Sequence, residues 1–338
     1  MSKFFDKVLS KNELFLAFII LGLILIIGAI NPNFFTLATL YDMLRSSVVM
    51  GIFGVGVLMV LVSGGIDISF TAIAAFAMYV TTRYLKGIGF EGSILSAFII
   101  SGGLGALLGF INAVLISSFR LPTLIVTLGT SNMFRGFLLA FVGTKIISVL
   151  PPGMVRFSRM ELFPVKTMIG GTNGLSVSVF VLALVIPITW FILNRTMLGR
   201  GIYALGGDRV AAERAGLNIA FIQFFVYCYV GFLAGVAGVV HASLIRTASP
   251  FDLVGTELSV IAAVVLGGAR ITGGHGTVLG SILGVFLVVI MNNSLIMMGV
   301  PSYWQTAVVG IIIILGTGLT AWRSRRTHRV SLLDTQES

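Results

Sequence analysis

Charge and cysteine are both scarce: Asp, Glu, Lys and Arg make up 10% of the 338 residues, and Cys228 is the single cysteine. Globular domains carry roughly 25% charged residues, so a surface built entirely to face water is excluded. One cysteine excludes a disulfide framework and a thiolate metal site; lying in an apolar run, Cys228 reads as an inert packing residue. The three histidines, His241, His275 and His328, have no carboxylate or cysteine at ligand spacing in the sequence, which argues against a metal centre or a catalytic site. No G-x-x-x-x-G-K-[ST] segment is present, so nucleotide phosphates are not cradled by that route. A proton-coupled pump needs a chain of intramembrane carboxylates; Asp67 and Glu257 are instead isolated near predicted helix ends. The alternating pattern of a membrane barrel is missing too.

Apolar residues fill the space left by charge. They are 57% of the chain, and the mean hydropathy is +1.06. Runs such as Leu14 to Ile30, Ser176 to Leu193 and Phe221 to Val240 are uncharged and approach or reach the ~20 residues that cross a bilayer as a helix. Lipid offers no partner to an unpaired backbone amide, so the expectation is all-α. About ten spans are predicted, near 14–30, 46–63, 66–82, 93–117, 122–142, 176–193, 220–241, 256–269, 277–298 and 302–322. They form a single transmembrane domain over 1–338. The first run lacks a small-residue cleavage site before Asn31 and Pro32, so it is expected to stay as a span.

The net charge of +10 reads as positive-inside topology rather than as affinity for nucleic acid. Lys3, Lys7 and Lys11 hold the N-terminus in the cytoplasm, and ten spans return Arg323, Arg325, Arg326 and Arg329 to the same side in a tail over 323–338. Trp304 and Trp322 bracket the last span as interfacial anchors. The segment 143–175, with Pro151, Pro152, Pro164 and a Gly-Gly-Thr-Asn-Gly cluster, is too long for a simple connection. It is expected to be a folded periplasmic excursion, either a lid on the bundle or a surface for an external binding protein.

Glycines at Gly102, Gly103, Gly105 and Gly109, and at Gly276, Gly280 and Gly284, place small residues on helix faces where backbones approach. Polar residues inside the spans are few. Asp67 is placed in a short cytoplasmic turn, capping the third helix with Ser69 and Thr71 nearby. Asp67, Asn112, Asn132, Asn292 and Asn293 are the candidates for a pathway suited to a neutral hydroxylated solute, with interhelical bonding as their other use. Arg135 and Glu257 are expected to face protein or water, Glu257 at a periplasmic mouth.

The strongest interruption of the apolar runs in the second half is 194–218, a predicted cytoplasmic loop with Arg195, Arg200, Arg209, Arg214, Asp208 and Glu213. In a membrane protein such a loop is a docking surface for a soluble partner. Its residues Thr196, Gly199, Arg200, Tyr203, Ala204, Leu205, Gly206, Gly207, Asp208, Ala211, Ala212, Gly216 and Leu217 resemble the coupling loop of permeases from ribose-type ABC importers. Ser63 to Ser69, Pro122 to Gly129, Ala262 to Gly280 and Pro301 to Leu315 are similar to further motifs of that family. Asp208 replaces the usual Asn; Thr71, Ala113 and Asn293 stand where the family often has Gly.

The resemblance implies a bacterial inner-membrane permease with no cofactor and no enzymatic activity of its own. Implied partners are a cytosolic ATPase with two fused nucleotide-binding domains, a periplasmic binding protein, membrane lipid and a second permease, identical or paralogous. The implied cargo is a monosaccharide, polyol or furanosyl autoinducer. It also assigns ATPase coupling to Gly199, Arg200, Tyr203, Gly206, Gly207, Asp208, Ala211, Ala212 and Gly216. Within the loop, Asp208 is expected to cap a Val210 to Ala215 helix, Gly206 and Gly207 to form the turn before it, and Ala211, Ala212 and Gly216 to be the small face that seats it. The alternatives are a stand-alone channel or secondary transporter for polar solutes, and a membrane scaffold or receptor subunit without flux.

Overall fold

The computed structural model describes residues 12–166 and 171–299, together with residues 301, 304, 307, 310 and 311. The basic N-terminal residues Lys3, Lys7 and Lys11, most of the tenth predicted span with Trp322, and the 323–338 tail lie outside the described residues.

The described chain is a helical bundle: α1 (Asn12–Ile30), α2 (Leu37–Val62), α3 (Phe70–Gly87), α4 (Ile94–Phe119), α5 (Thr123–Phe137, extended by a π turn to Val142), α6 (Pro152–Arg159), α7 (Ser178–Arg195), α8 (Met197–Gly207), α9 (Arg209–Arg214), α10 (Ile219–Ile245), α11 (Glu257–Leu266) and α12 (Val278–Met297). Seven of these, α1, α2, α4, α5 with its π turn, α7, α10 and α12, are long and apolar enough to cross a membrane. Many starts are written in the sequence. Side-chain oxygens of Thr36, Ser93, Thr196, Asp208, Asn218 and Thr277 accept from first-turn amides, satisfying donors the helix cannot.

Glycine seams hold the bundle. A methyl group on Gly105 would strike the Gly231 carbonyl, one on Gly109 the Tyr227 carbonyl, and one on Gly235 the Ser101 carbonyl. The α4 and α10 backbones therefore run in contact, and Ser101 Oγ donates to the Gly235 carbonyl at 2.7 Å. A second seam joins α11 and α12, where Gly284 lies on the Ala263 carbonyl and Gly280 on that of Gly267. Gly103 has open space around its Cα and belongs to neither.

The two predicted spans at 66–82 and 256–269 are built differently from the rest. Residues 63–69 are not helical, and α3 starts only at Phe70. That start is deep inside: the Phe70 ring packs on Phe53, within α2, at 5.0 Å between centroids, and Phe70 and Thr71 are fully buried. Helix α11 has only 10 residues, about 15 Å at 1.5 Å per residue, half a hydrocarbon core. The irregular backbone of 63–69 is tolerated there because protein, not lipid, surrounds it.

The 143–175 excursion folds back on the bundle. Ile147 pairs with Ala248, α6 follows, and an antiparallel hairpin of β1 (Glu161–Lys166) and β2 (Thr172–Ser176) adds a small sheet to an otherwise helical chain. Asn173 Nδ2 ties the hairpin to α2, donating to Asp42 Oδ1 at 3.0 Å and to the Ala38 carbonyl at 3.2 Å.

Candidate functional site

One end of the bundle carries the charged loop. Helix α7 leads into it, Thr196 Oγ accepts from Gly199 N at 3.0 Å to start α8, and Gly199 packs on the Ile192 and Leu193 carbonyls so tightly that a side chain there would break the α7–α8 corner. Asp208, extended at φ −154°, turns the chain and caps α9, accepting from Val210 N at 2.8 Å and Ala211 N at 3.0 Å. Gly216, at φ +79°, ends α9 with Gly216 N bonded to the Glu213 carbonyl and Leu217 N to the Ala212 carbonyl, a left-handed stop that glycine adopts without strain.

The expected capped helix is therefore present, but two of its details change. Gly206 and Gly207 are the last turn of α8, not a glycine turn. Gly206 instead serves close approach: a methyl group would collide with the Val62 carbonyl and Gly274 N, and Gly64 and Gly273 lie beside it. Ala212 is buried in the protein itself, so only Ala211 and Gly216 of the expected small face are exposed, with Arg209, Val210, Glu213 and Arg214. The α8–α9 surface thus offers a rigid, mixed-charge knob. Burial raises the Tyr203 phenol above its ordinary pKa, keeping it a neutral donor; its hydroxyl bonds the Gly276 carbonyl at 2.7 Å.

The five polar candidates do not converge on one site. Asp67 and Asn112 do meet: Asp67 Oδ1 accepts from Ser69 N at 2.6 Å and Ser69 Oγ at 2.7 Å, and Asn112 Nδ2 donates to Ser69 Oγ at 2.7 Å. Asp67 thus acts at the start of α3 as expected, but buried within the bundle rather than in an open turn. Among the described residues, Asn112 Oδ1 is buried without a hydrogen-bond partner, as is Asn293 Nδ2. Asn292 and Asn293 lie half-buried along α12. Asn132 is exposed on α5 and bonds its own helix at the Leu128 carbonyl, 3.1 Å away; Arg135 is exposed on the same helix.

Sequence reading missed one contact. Glu257, expected at an outer mouth, begins α11 and accepts a short hydrogen bond from Thr71 Oγ in the first turn of α3; Gly255 N also reaches it at 2.9 Å. The available signal was the interruption of two apolar segments by glycine and polar residues, at 64–69 and 252–257, a pattern of discontinuous helices that marks transport sites. His241, with no ligand-spaced neighbour in sequence, meets Asp252 at 3.7 Å in space. Among the described residues no cluster of three His, Cys, Asp or Glu could hold a metal.

At the opposite end, a cavity of about 780 Å³ is lined by Tyr79, Arg83, Lys86, Phe141 and Lys145, with no carboxylate among the described residues of its lining. Tyr79 Oη donates to the Lys145 carbonyl at 2.8 Å and shapes its floor.

The family model of the branched-chain amino acid transport system permease component matches residues 39–316. The ribose import permease protein of Escherichia coli (strain K12) is 33% identical over 296 residues, 88% of this chain and 89% of the relative. That of Bacillus subtilis (strain 168) is 32% identical over 323 residues, 95% of each. An autoinducer 2 import system permease protein from Yersinia enterocolitica is 30% identical over 295 residues, 87% of this chain and 78% of the relative. No solved structure matches. The shared span takes in α8–α9, both broken helices and the glycine seams, and it places this chain in the family of ribose-type ABC importer permeases, multi-pass proteins of the bacterial inner membrane that carry solute while a separate subunit hydrolyses ATP.

Proposed function

We propose that the chain carries a ribose-like monosaccharide, a small polyol or a furanosyl autoinducer, and takes its energy through α8–α9. The observation that carries this reading is the exposed, capped α9 set on an α8 whose Gly206 lies backbone to backbone against two loops of the bundle. A solvent-exposed knob anchored in this way suits a groove in a cytosolic ATPase, taken as two fused nucleotide-binding domains.

In this reading both termini are cytoplasmic; the expected tenth span, 302–322, lies almost wholly outside the described residues. Thr277 Oγ bonds Glu13 at 2.9 Å, so the start of α1 shares the α8 end of the bundle, as that topology requires. A second permease, identical or paralogous, covers the α5 face: exposed Arg135 and Asn132 are costly against lipid but suit a wet path between two subunits. The cavity of Arg83, Lys86 and Lys145 opens at the other end, where a periplasmic binding protein presenting carboxylates would dock.

The test is reconstitution in liposomes with the cognate ATPase and binding protein, measuring uptake of labelled ribose, xylose and autoinducer 2. ATP-dependent uptake that needs both partners is the expected result. Uptake driven by a gradient without either would overturn it in favour of a stand-alone transporter, and no flux under any condition would indicate a scaffold.

A further inference from the structure

The cavity between the ends of α3 and α5 gathers positive charge that nothing in the protein answers. Arg83 and Lys86 come from the last turns of α3, and Lys145 from the segment after the π turn of α5. All three are exposed, and among the described residues the ion pair is His241 with Asp252, not one of these cations with an acid. Gly143 shapes the space they share. A methyl group on it would come within 2.9 Å of Tyr79 Oη and 3.1 Å of Arg83 Nη1, so the guanidinium lies against bare backbone. The bond from Tyr79 Oη to the Lys145 carbonyl holds that backbone over α3.

Beside the cations the wall turns aromatic. Phe141 lines the cavity and lies 4.7 Å from Phe137, centroid to centroid, and Phe137 lies 6.1 Å from Phe76 of α3. Met133, Phe137 and Phe141 recur every four residues and are 51%, 51% and 76% exposed, an apolar stripe along α5. Phe76 stands ten residues before Lys86, about 15 Å along the helix, the depth of one leaflet in a hydrocarbon core of ~30 Å.

We propose that this cavity is a binding site for an anionic phospholipid. Arg83, Lys86 and Lys145 hold the phosphate-bearing headgroup, and an acyl chain lies on Phe141, Phe137 and Phe76. The guanidinium fork matches two phosphate oxygens, and the ammonium groups add point charges around it. A free phosphate would answer the cations and leave the aromatic stripe bare, whereas a lipid covers both. A zwitterionic headgroup carries its own cation, which the three repel, so net negative charge is selected. These are the cations read above as meeting a binding protein, and lipid and protein compete for them.

The test uses the full-length permease alone, purified in detergent and stripped of lipid, so its result is separate from where the ATPase or the binding protein docks. Native mass spectrometry would measure retained phosphatidylglycerol and phosphatidylcholine, and thermal unfolding would be followed with each lipid and with inorganic phosphate. Phosphatidylglycerol is expected to stay bound and to raise the unfolding temperature, and the other two to do neither. Arg83→Gln with Lys145→Gln should weaken phosphatidylglycerol binding about thirtyfold, the loss of two interfacial cations. Arg159→Gln with Lys166→Gln, exposed cations outside the cavity, should leave it unchanged. Equal retention of the two lipids, stabilisation by inorganic phosphate alone, or equal losses in the two double variants would each overturn the site, as unselective, as a free-anion site or as diffuse surface charge. The lipid comparison is made on the wild-type chain, so it decides the matter even where a variant fails to fold.

Discussion

The two ends of the bundle are joined by different means. At the α8 end, contact is backbone on backbone: Gly206 against Val62 and Gly64, Gly273 and Gly274 against Gly206 and Gly207. At the other end, two backbone contacts, Ile147 with Ala248 and Gly153 with the Gly92 carbonyl, are joined by long side chains. Arg156 reaches the Glu91 carbonyl, Arg246 Nε donates to Ser158 Oγ at 3.3 Å, Arg45 to the Leu244 carbonyl at 3.3 Å, and Asn173 to Asp42. Glycine contacts transmit displacement because nothing between them can rotate. Long side chains yield, which suits a surface that must receive a separate protein and let it go.

The comparison is broken most directly at Gly206. Gly206→Val drives a side chain into the Val62 carbonyl and is expected to abolish ATP-driven uptake, measured in the reconstituted complex, because neither backbone can move aside. Next comes Ala211→Arg on the exposed face of α9. It should remove ATPase co-purification while shifting the permease's own stability by no more than about 0.5 kcal/mol. Ala212→Arg is the contrast: a charge forced into the buried site destabilises the permease even without its partner, as thermal unfolding of the detergent-purified chain would record.

At the adaptable end the effects are smaller and depend on salt. Reversing charge with Arg83→Glu and Lys145→Glu should weaken binding-protein capture about tenfold, or about 1.4 kcal/mol. Titrating binding protein against stimulated ATP hydrolysis at low salt would show it, and the difference should shrink as ionic strength rises. The smallest effect is expected from Asp208→Ala. Losing the two cap bonds to Val210 N and Ala211 N should cost about 1 kcal/mol, visible as faster amide exchange in α9 with uptake reduced rather than lost.

Much of the architecture could be read before any coordinates. Solvent imposes helices on long apolar runs, and caps such as Thr196, Asp208 and Asn218 are local hydrogen-bonding events that their own neighbours determine. The glycine faces at Gly105, Gly109 and Gly284 were readable for the same reason, since helical spacing puts small residues on one side. The roles of Gly206 and Ala212 were not. Whether a helical glycine is a hinge or a point of close approach depends on what arrives opposite it, here a loop far away in sequence. The β1–β2 hairpin escaped notice because its short strands alternate weakly and are paired by their position over α2. The contact of Glu257 with Thr71 was not readable because hydropathy treats 256–269 as one apolar segment and cannot say where along the bundle it begins.

Transfer from water to lipid is an additive property of each segment, so the sequence alone was enough to expect a membrane-spanning helical chain, and its ordered motifs were enough to point to the permease family. Depth, burial and opposition are properties of pairs of segments. It took the packed chain to bring Thr71 to Glu257, to turn Ala212 inward and to set Gly206 against two loops at once, because those contacts exist only after distant helices have chosen their neighbours.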